Sequence, residues 1–436
     1  MTMRTGLISI LALVLLASCA SREVVLPGER LGIRAALGQG GEPANRSVAL
    51  RLGRQVDHAA WPQRAGGPGH AMRHAAFNRS AALVWTAPVG QGNDRRHRIT
   101  ADPVAAHGRI FTLDSRARVA AVSDTGRPLW SRDLTPAGEN PDDGSGGGLA
   151  LAGDVLFATT GFGDLYALNA ADGGVIWRQR LEAEAAGAPT VSGGLVYVST
   201  RDSRGLAIDA KTGRVRWQTA GAPSPSGVVG GAAPAVAGGI AVFPFASGEL
   251  VGTFARGGFR RWRASVAGAR VGKAYSRVSD VTGDPVIRAG VVYAGSPAGR
   301  SAAFDLRSGE TIWSAREGAM GPAWVEGGAV FQVSDRAQLV RLNARTGARV
   351  WAVALPQFVP VRNPARKRDV YAHFGPVLAG GLLWVASSDG HLRGFAPEDG
   401  ALAADVALPA AAASRPIVVR GTMYVVGADG RLMALR

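Results

Sequence analysis

One pattern recurs along this chain and constrains its fold more than any other feature. It reads Gly-x-[VIL]-[YFW], a turn, then Leu-x-x-[LF]-[ND]-x-x-[TSD]-Gly and a closing Trp. Leu195-Val-Tyr197 runs through Asp209-Ala-Lys-Thr-Gly213 to Trp217, and Val291-Val-Tyr293 runs through Asp305-Leu-Arg-Ser-Gly309 to Trp313. The aromatic-type position falls at Phe111, Phe157, Tyr197, Val242, Tyr293, Phe331, Trp384 and Tyr424. From it to the closing Trp the spacing is 19 residues once and 20 five times, and a seventh copy has Ala404 at 20. A fixed period filled with short β-type runs and Gly-rich turns, without long helical periodicity, marks a repeat architecture.

The eighth copy begins at Tyr424, and the sequence stops at Arg436 before any tryptophan. An orphan strand, Ala82-Leu-Val-Trp85, stands ahead of the first copy. Pairing the two ends closes a ring and removes the open edges that invite aggregation. Eight units over residues 81–436 average about 44 residues, the length of a propeller blade. The expected fold is therefore all-β: an eight-bladed β-propeller of four-stranded blades, closed by an N-terminal strand.

The repeated residues have structural duties. Trp85, Trp130, Trp177, Trp217, Trp262, Trp313 and Trp351 are expected to bury their rings between neighbouring blades, with each N–H finding a carbonyl. Asn169, Asp209, Asp305 and Asn343, four residues before the turn glycine, suit side-chain capping of the hairpin. No catalytic residue is expected among them.

Of the 436 residues only one is cysteine, Cys19. That excludes a disulfide framework and cysteine-based metal sites. Arg4, an apolar run from Leu7 to Ala17 and the sequence Leu16-Ala-Ser-Cys19 read as a secretory signal over residues 1–18. A run of eleven residues is shorter than the ~20 needed to span a bilayer. The formal charge is +16, carried by 46 Arg and 3 Lys. An exported basic chain meets anionic lipid or acidic protein, so nucleic acid is not an expected partner.

Between one closing position and the next aromatic position, the spacings are 26, 27, 20, 25, 31, 18, 33 and 20. All length variation thus falls in the connections between blades, which decorate one face, where binding usually lives. Long insertions follow Trp130, Trp262 and Trp351, the last containing Arg362, Arg366, Lys367 and Arg368.

The Asp/Asn-x-x-Thr-Gly-x-x-x-Trp element resembles the PQQ-type propeller repeat, which serves both quinoprotein dehydrogenases and non-enzymatic scaffolds. Leu-Ala-Ser-Cys19 resembles the bacterial lipoprotein box, which implies lipidation of Cys19. Ala20 after it lacks the inner-membrane retention residue, which implies the periplasmic face of the outer membrane. Lipobox and eight blades together resemble the BamB family, lipoproteins of the outer-membrane β-barrel assembly machine. Gly230-Gly-Ala-Ala-Pro234 and Arg277-Val-Ser-Asp280-Val-Thr282-Gly-Asp284-Pro285 are similar to two family segments on the surface facing BamA. The second departs from the family pattern by Thr282, where the family has Asp, and no arginine directly precedes Gly230.

The resemblance implies a non-enzymatic scaffold that docks on BamA and other Bam subunits, with unfolded outer-membrane proteins as a further partner and no cofactor. Its contact residues would be Val228, Val229, Gly230, Pro234, Arg277 and Asp280. Alternatives are a quinoprotein dehydrogenase using PQQ and calcium, or an envelope lipoprotein with another partner. The dehydrogenases typically carry a vicinal Cys–Cys pair, which one cysteine cannot supply. Residues 19–80 read as a lipid-anchored tether of low order that lays Trp61 against the ring. His70 and His74 have helical metal-pair spacing but no third ligand nearby, so no metal is expected.

Overall fold

Alternating small and branched residues, punctuated by glycine turns, build eight antiparallel sheets of four strands each among the described residues. The computed structural model describes residues 44–225, 227–228, 230–268, 270, 278–362 and 369–436. Blade 1 is typical: Val104–Ala106, Arg109–Leu113, Arg118–Ser123 and Pro128–Asp133, from the innermost strand to the outermost. The three inner strands are almost wholly buried, whereas the fourth is largely solvent-facing.

Blade 8 takes three strands from the C-terminus and its outermost strand, Leu83–Pro88, from the N-terminal side. Thr86 faces Met433 and Ala87 faces Leu432, and Ala82 and Arg436 exchange both backbone bonds at 2.9 Å. The ring closes as the repeat count requires.

Each closing tryptophan does its work on the next blade. A Cβ added at Gly126, Gly173, Gly213, Gly258, Gly309, Gly347 or Gly400 would collide with the ring of Trp85, Trp130, Trp177, Trp217, Trp262, Trp313 or Trp351 respectively. Gly213, at φ +73°, also needs the left-handed backbone that a side chain disfavours. Trp130, Trp177, Trp262, Trp313 and Trp351 donate Nε1–H to carbonyls of the adjacent turn at 2.8–3.2 Å. Blade 7 has Ala404 at this position, and the reason is geometric. Blade 8 joins two distant chain segments, so it has no turn between its last two strands for a blade 7 ring to sit under.

Residues 44–80 depart from the expected loose tether. Tied by single bridges and hydrogen bonds, they cross the end of the channel on the turn side. Trp61 exchanges backbone bonds with Ala105 of blade 1, and the Pro62 carbonyl accepts from Leu151 of blade 2. The Gln63 side chain brackets Val191 of blade 3, and the carbonyls of Pro68 and Gly69 accept from Val236 and Ile287 of blades 4 and 5. The Gly53 amide reaches Glu326 of blade 6, Ala75 donates to Leu378 of blade 7, and His58 accepts from Arg420 of blade 8. Trp61 is 2% exposed and packs against Trp324, 6.4 Å between ring centroids. The segment thus plugs one mouth of the ring and touches all eight blades. Residues 1–43, with Cys19, lie outside the described residues.

Candidate partner-docking face

With the turn side plugged, the channel opens toward the long connections between blades. There it forms a funnel of about 640 Å³ whose lining includes Thr100, Val228, Gly230, Thr282, Met320 and Val370. Its floor is a buried ionic network. Arg64 of the plug donates Nε–H to Asp284 at 2.6 Å and lies 3.9 Å from Asp102. Asp102 accepts the Arg415 amide at 2.9 Å, and the Arg415 guanidinium donates to the carbonyls of Pro322 and Pro376. Burial opposes the charge on Arg64, but Asp284 and Asp102 outweigh it and its pKa is raised. Burial dominates at Arg415 and lowers its pKa.

Two of the connections carry the residues singled out from sequence. In the loop between blades 3 and 4, Val228 is 38% exposed. Gly230, at φ +74°, approaches Thr100 so closely that a Cβ would lie 2.6 Å from it. The Pro234 carbonyl accepts the Thr190 hydroxyl at 2.5 Å. Val229 and Arg277 lie outside the described residues, as do Arg366, Lys367 and Arg368.

Asp280, in the loop between blades 4 and 5, was expected to offer its carboxylate to a partner. It is instead 7% exposed and accepts the Val228 amide at 2.7 Å. Burial pushes its pKa above the ordinary carboxylate range, against the pull of the Val228 and Val281 amides and of Arg201. Asp280 therefore positions one loop on the other. Asp284, which spacing alone did not single out, does the same one turn deeper: it takes the Ala233 amide at 2.9 Å together with Arg64. The Thr282 hydroxyl donates to the Ala319 carbonyl at 2.6 Å and ties this loop to the following one. Asp280, Thr282 and Asp284 thus each hold another loop, and Val228 stands beside them as an exposed apolar point.

The residues do not suit a quinone–calcium centre. Among the described residues Asp102 is the one carboxylate on the funnel lining, and it is already bonded to Arg415. Among the described residues no three His, Cys, Asp or Glu side chains are grouped to hold a metal. His70 and His74 lie in non-helical backbone with separate partners: the Pro285 carbonyl for one, the Gly53 carbonyl and Gly381 amide for the other.

Comparison with known proteins agrees with this geometry. A curated relative from Yersinia pestis, outer membrane protein assembly factor BamB, is 26% identical over 363 residues, 81% of this chain and 88% of that protein. The Escherichia coli K12 protein of the same name is 27% identical over 361 residues, 81% and 88% respectively. The crystal structure of BamB from Moraxella catarrhalis superposes with a TM-score of 0.67 at 21% identity, covering 82% of this chain and 99% of that one. A quinohemoprotein alcohol dehydrogenase from Comamonas testosteroni gives 0.66 at 14% identity, over 87% and 81%, so the fold alone does not separate the two functions. The family model described as outer membrane protein assembly factor BamB matches residues 115–353 and 361–436, and the chain belongs to that family.

Proposed function

We propose that this chain is a scaffold subunit of the outer-membrane protein assembly machinery, docking on BamA through its inter-blade loop face. Membership of the BamB family carries the reading. In support, Val228 and Ala233 of one loop are tied to Asp280 and Asp284 of the other, and Asp284 to Arg64 of the plug, before any partner arrives. Pre-ordering of this kind lowers the entropy cost of association. Val228 supplies an apolar centre, and Met320 and Val370 add exposed apolar surface around the funnel. The contribution is interface energy and positioning, with no covalent step. Cys19, lipidated, would hold the ring to the periplasmic face of the outer membrane, and the funnel rim could also meet unfolded barrel proteins.

The test is affinity capture of the tagged full chain from envelopes solubilised in mild detergent. BamA should be recovered, and Val228→Asp should reduce recovery about tenfold or more, the effect of losing a central apolar contact worth roughly 1.4 kcal/mol or above. Recovery of no assembly subunit would remove the proposal. Oxidation of alcohols or sugars in a dye-linked assay with added PQQ and calcium would replace it with an enzymatic one.

A further inference from the structure

A repeat reveals special demands where a copy abandons a duty that most of the others keep. In blades 2, 3, 5 and 6 the turn before the outermost strand is capped by Asn169, Asp209, Asp305 or Asn343, whose Oδ1 accepts amides of its own turn. Blade 7 has the small Ala396 in that place, whereas blade 4 has Phe254, 45% exposed. Just past the turn glycine stands Phe259, 77% exposed, more than any other large apolar side chain among the described residues. At this turn the Ala255 carbonyl accepts the Tyr197 hydroxyl, and the buried Trp217 Nε1–H lacks the carbonyl partner that Trp130, Trp177, Trp262, Trp313 and Trp351 have.

The exchange gains no internal contact for Phe259 but changes the surface. Arg256, Arg260 and Arg261 are exposed and form no ion pair among the described residues. The Arg261 guanidinium lies over the Phe254 ring, 5.3 Å from its centroid, and its Nε donates to the Arg307 carbonyl. Across the three neighbouring turns, 209–216, 254–261 and 305–310, seven basic residues stand against three acidic ones, a net +4. The turn belongs to the face opposite the funnel. That is also the face on which the plug enters: Val48 bonds the Glu398 carbonyl in the corresponding turn of blade 7.

We infer that the blade 4 turn is a membrane-contact site, with the Phe259 ring entering the interface of an anionic phospholipid surface and Arg256, Arg260 and Arg261 meeting headgroup phosphates. The shape favours lipid over an acidic protein. A protein interface needs roughly 800 Å² per partner around a buried centre, whereas this is a narrow hairpin tip with one protruding ring and a cationic surround. Such a combination suits a headgroup layer, where aromatic rings sit at the interface and arginines gain from the surface potential. The residues between Cys19 and Ala44 could span at most roughly 80–90 Å fully extended, so an anchored chain entering on this face leaves the turn within reach of the bilayer. The inference is independent of which protein the funnel face docks.

The test uses the full chain carrying a nitroxide at Phe259→Cys or, on the funnel face, at Met320→Cys. It is mixed with vesicles rich in phosphatidylglycerol or made of phosphatidylcholine alone. On the anionic vesicles the label at 259 should lose collisions with a water-soluble nickel chelate and gain collisions with oxygen, while the label at 320 stays aqueous. Each arginine near the surface contributes about fivefold to partitioning, so R256E/R260E/R261E should reduce the protected fraction by roughly a hundredfold or more and leave BamA capture unchanged. Phe259→Ser, with the wild-type urea midpoint, should weaken partitioning several-fold. A label at 259 as water-accessible as that at 320 on the phosphatidylglycerol-rich vesicles would overturn the inference, and so would equal protection on phosphatidylcholine alone, since the arginines would then have no part in it. So would protection that appears only when a protein partner is added, since the turn would then be a protein-docking site.

Discussion

Arg64→Met and Asp284→Leu, made singly and together, probe the contact that joins the plug to the docking loops. The Arg64 Nε–Asp284 Oδ2 distance is 2.6 Å, with the side chains 10% and 0% exposed. Removing one partner of such a pair strands the other charge and costs about 3–5 kcal/mol, whereas replacing both by apolar groups is close to neutral. The two single changes are not equivalent. Arg64→Met leaves Asp284 with the Ala233 amide alone, and Asp284→Leu leaves Arg64 with Asp102 at 3.9 Å. Arg64→Met should therefore lie near the upper end of that range and Asp284→Leu nearer the lower. The double variant should recover a coupling energy of about 2 kcal/mol, well above the ~0.5 kcal/mol within which independent sites add. Urea unfolding followed by tryptophan fluorescence reads all three, with an unchanged m-value showing that the native fold is the same. Additive losses, or single losses below about 1 kcal/mol, would refute the view that this pair carries the junction. Capture of BamA should fall with Asp284→Leu, because the Ala233 amide loses its acceptor, and fall less with Arg64→Met.

Trp351→Ala empties a fully buried site beneath Gly400 and should cost about 3–5 kcal/mol in urea unfolding. Ala404→Trp in blade 7 should bring no comparable gain, since blade 8 offers no turn to cover the ring. Trp61→Ala should destabilise by a similar amount and make residues 44–80 susceptible to limited proteolysis before the blades are cut. Burial lowers the pKa of His70, with Asp284 and the Pro285 carbonyl opposing. The unfolded chain therefore takes up this proton first, and the stability His70 contributes is present above the unfolded value near 6.5 and lost as pH falls below it. His70→Asn, which tolerates the left-handed φ of 56°, should flatten the difference in urea midpoint between pH 7.5 and 5.5 relative to wild type. An unchanged difference would show that His70 is protonated at no cost in the fold.

The ring was legible because its determinants are local and repeated. A tryptophan 20 residues after an aromatic needs only the neighbouring blade to explain it, and its absence at Ala404 proved as meaningful as its presence elsewhere. The plug was not legible. Residues 44–80 meet the eight blades through scattered backbone bonds and, at blade 3, the Gln63 side chain, so no face is repeated and no period exists to detect; Gly- and Pro-containing sequence of that kind reads as loose chain. Sequence placed Asp280 in the docking region but not its direction. Whether a carboxylate looks outward or accepts an amide 52 residues away depends on how two loops fold over each other. The Phe254 departure was visible in the repeat. Only the exposure of Phe259 and the orphaned Trp217 N–H gave it meaning.

The strand that seals blade 8 also sets an order of events. Leu83–Pro88 is among the first segments of the ring to be made, yet its partner is the last, with Thr86 and Arg431 joined across 345 residues. Until the final residues arrive, that strand has no sheet to enter, and the innermost strands of later blades have no plug-bound ring to complete. Contacts of this range close slowly, because loop entropy must be overcome before any pairing compensates. A chain built in this way finishes folding only after it has been delivered whole, and loss of its last strand would leave both ends of the circle unsealed at once.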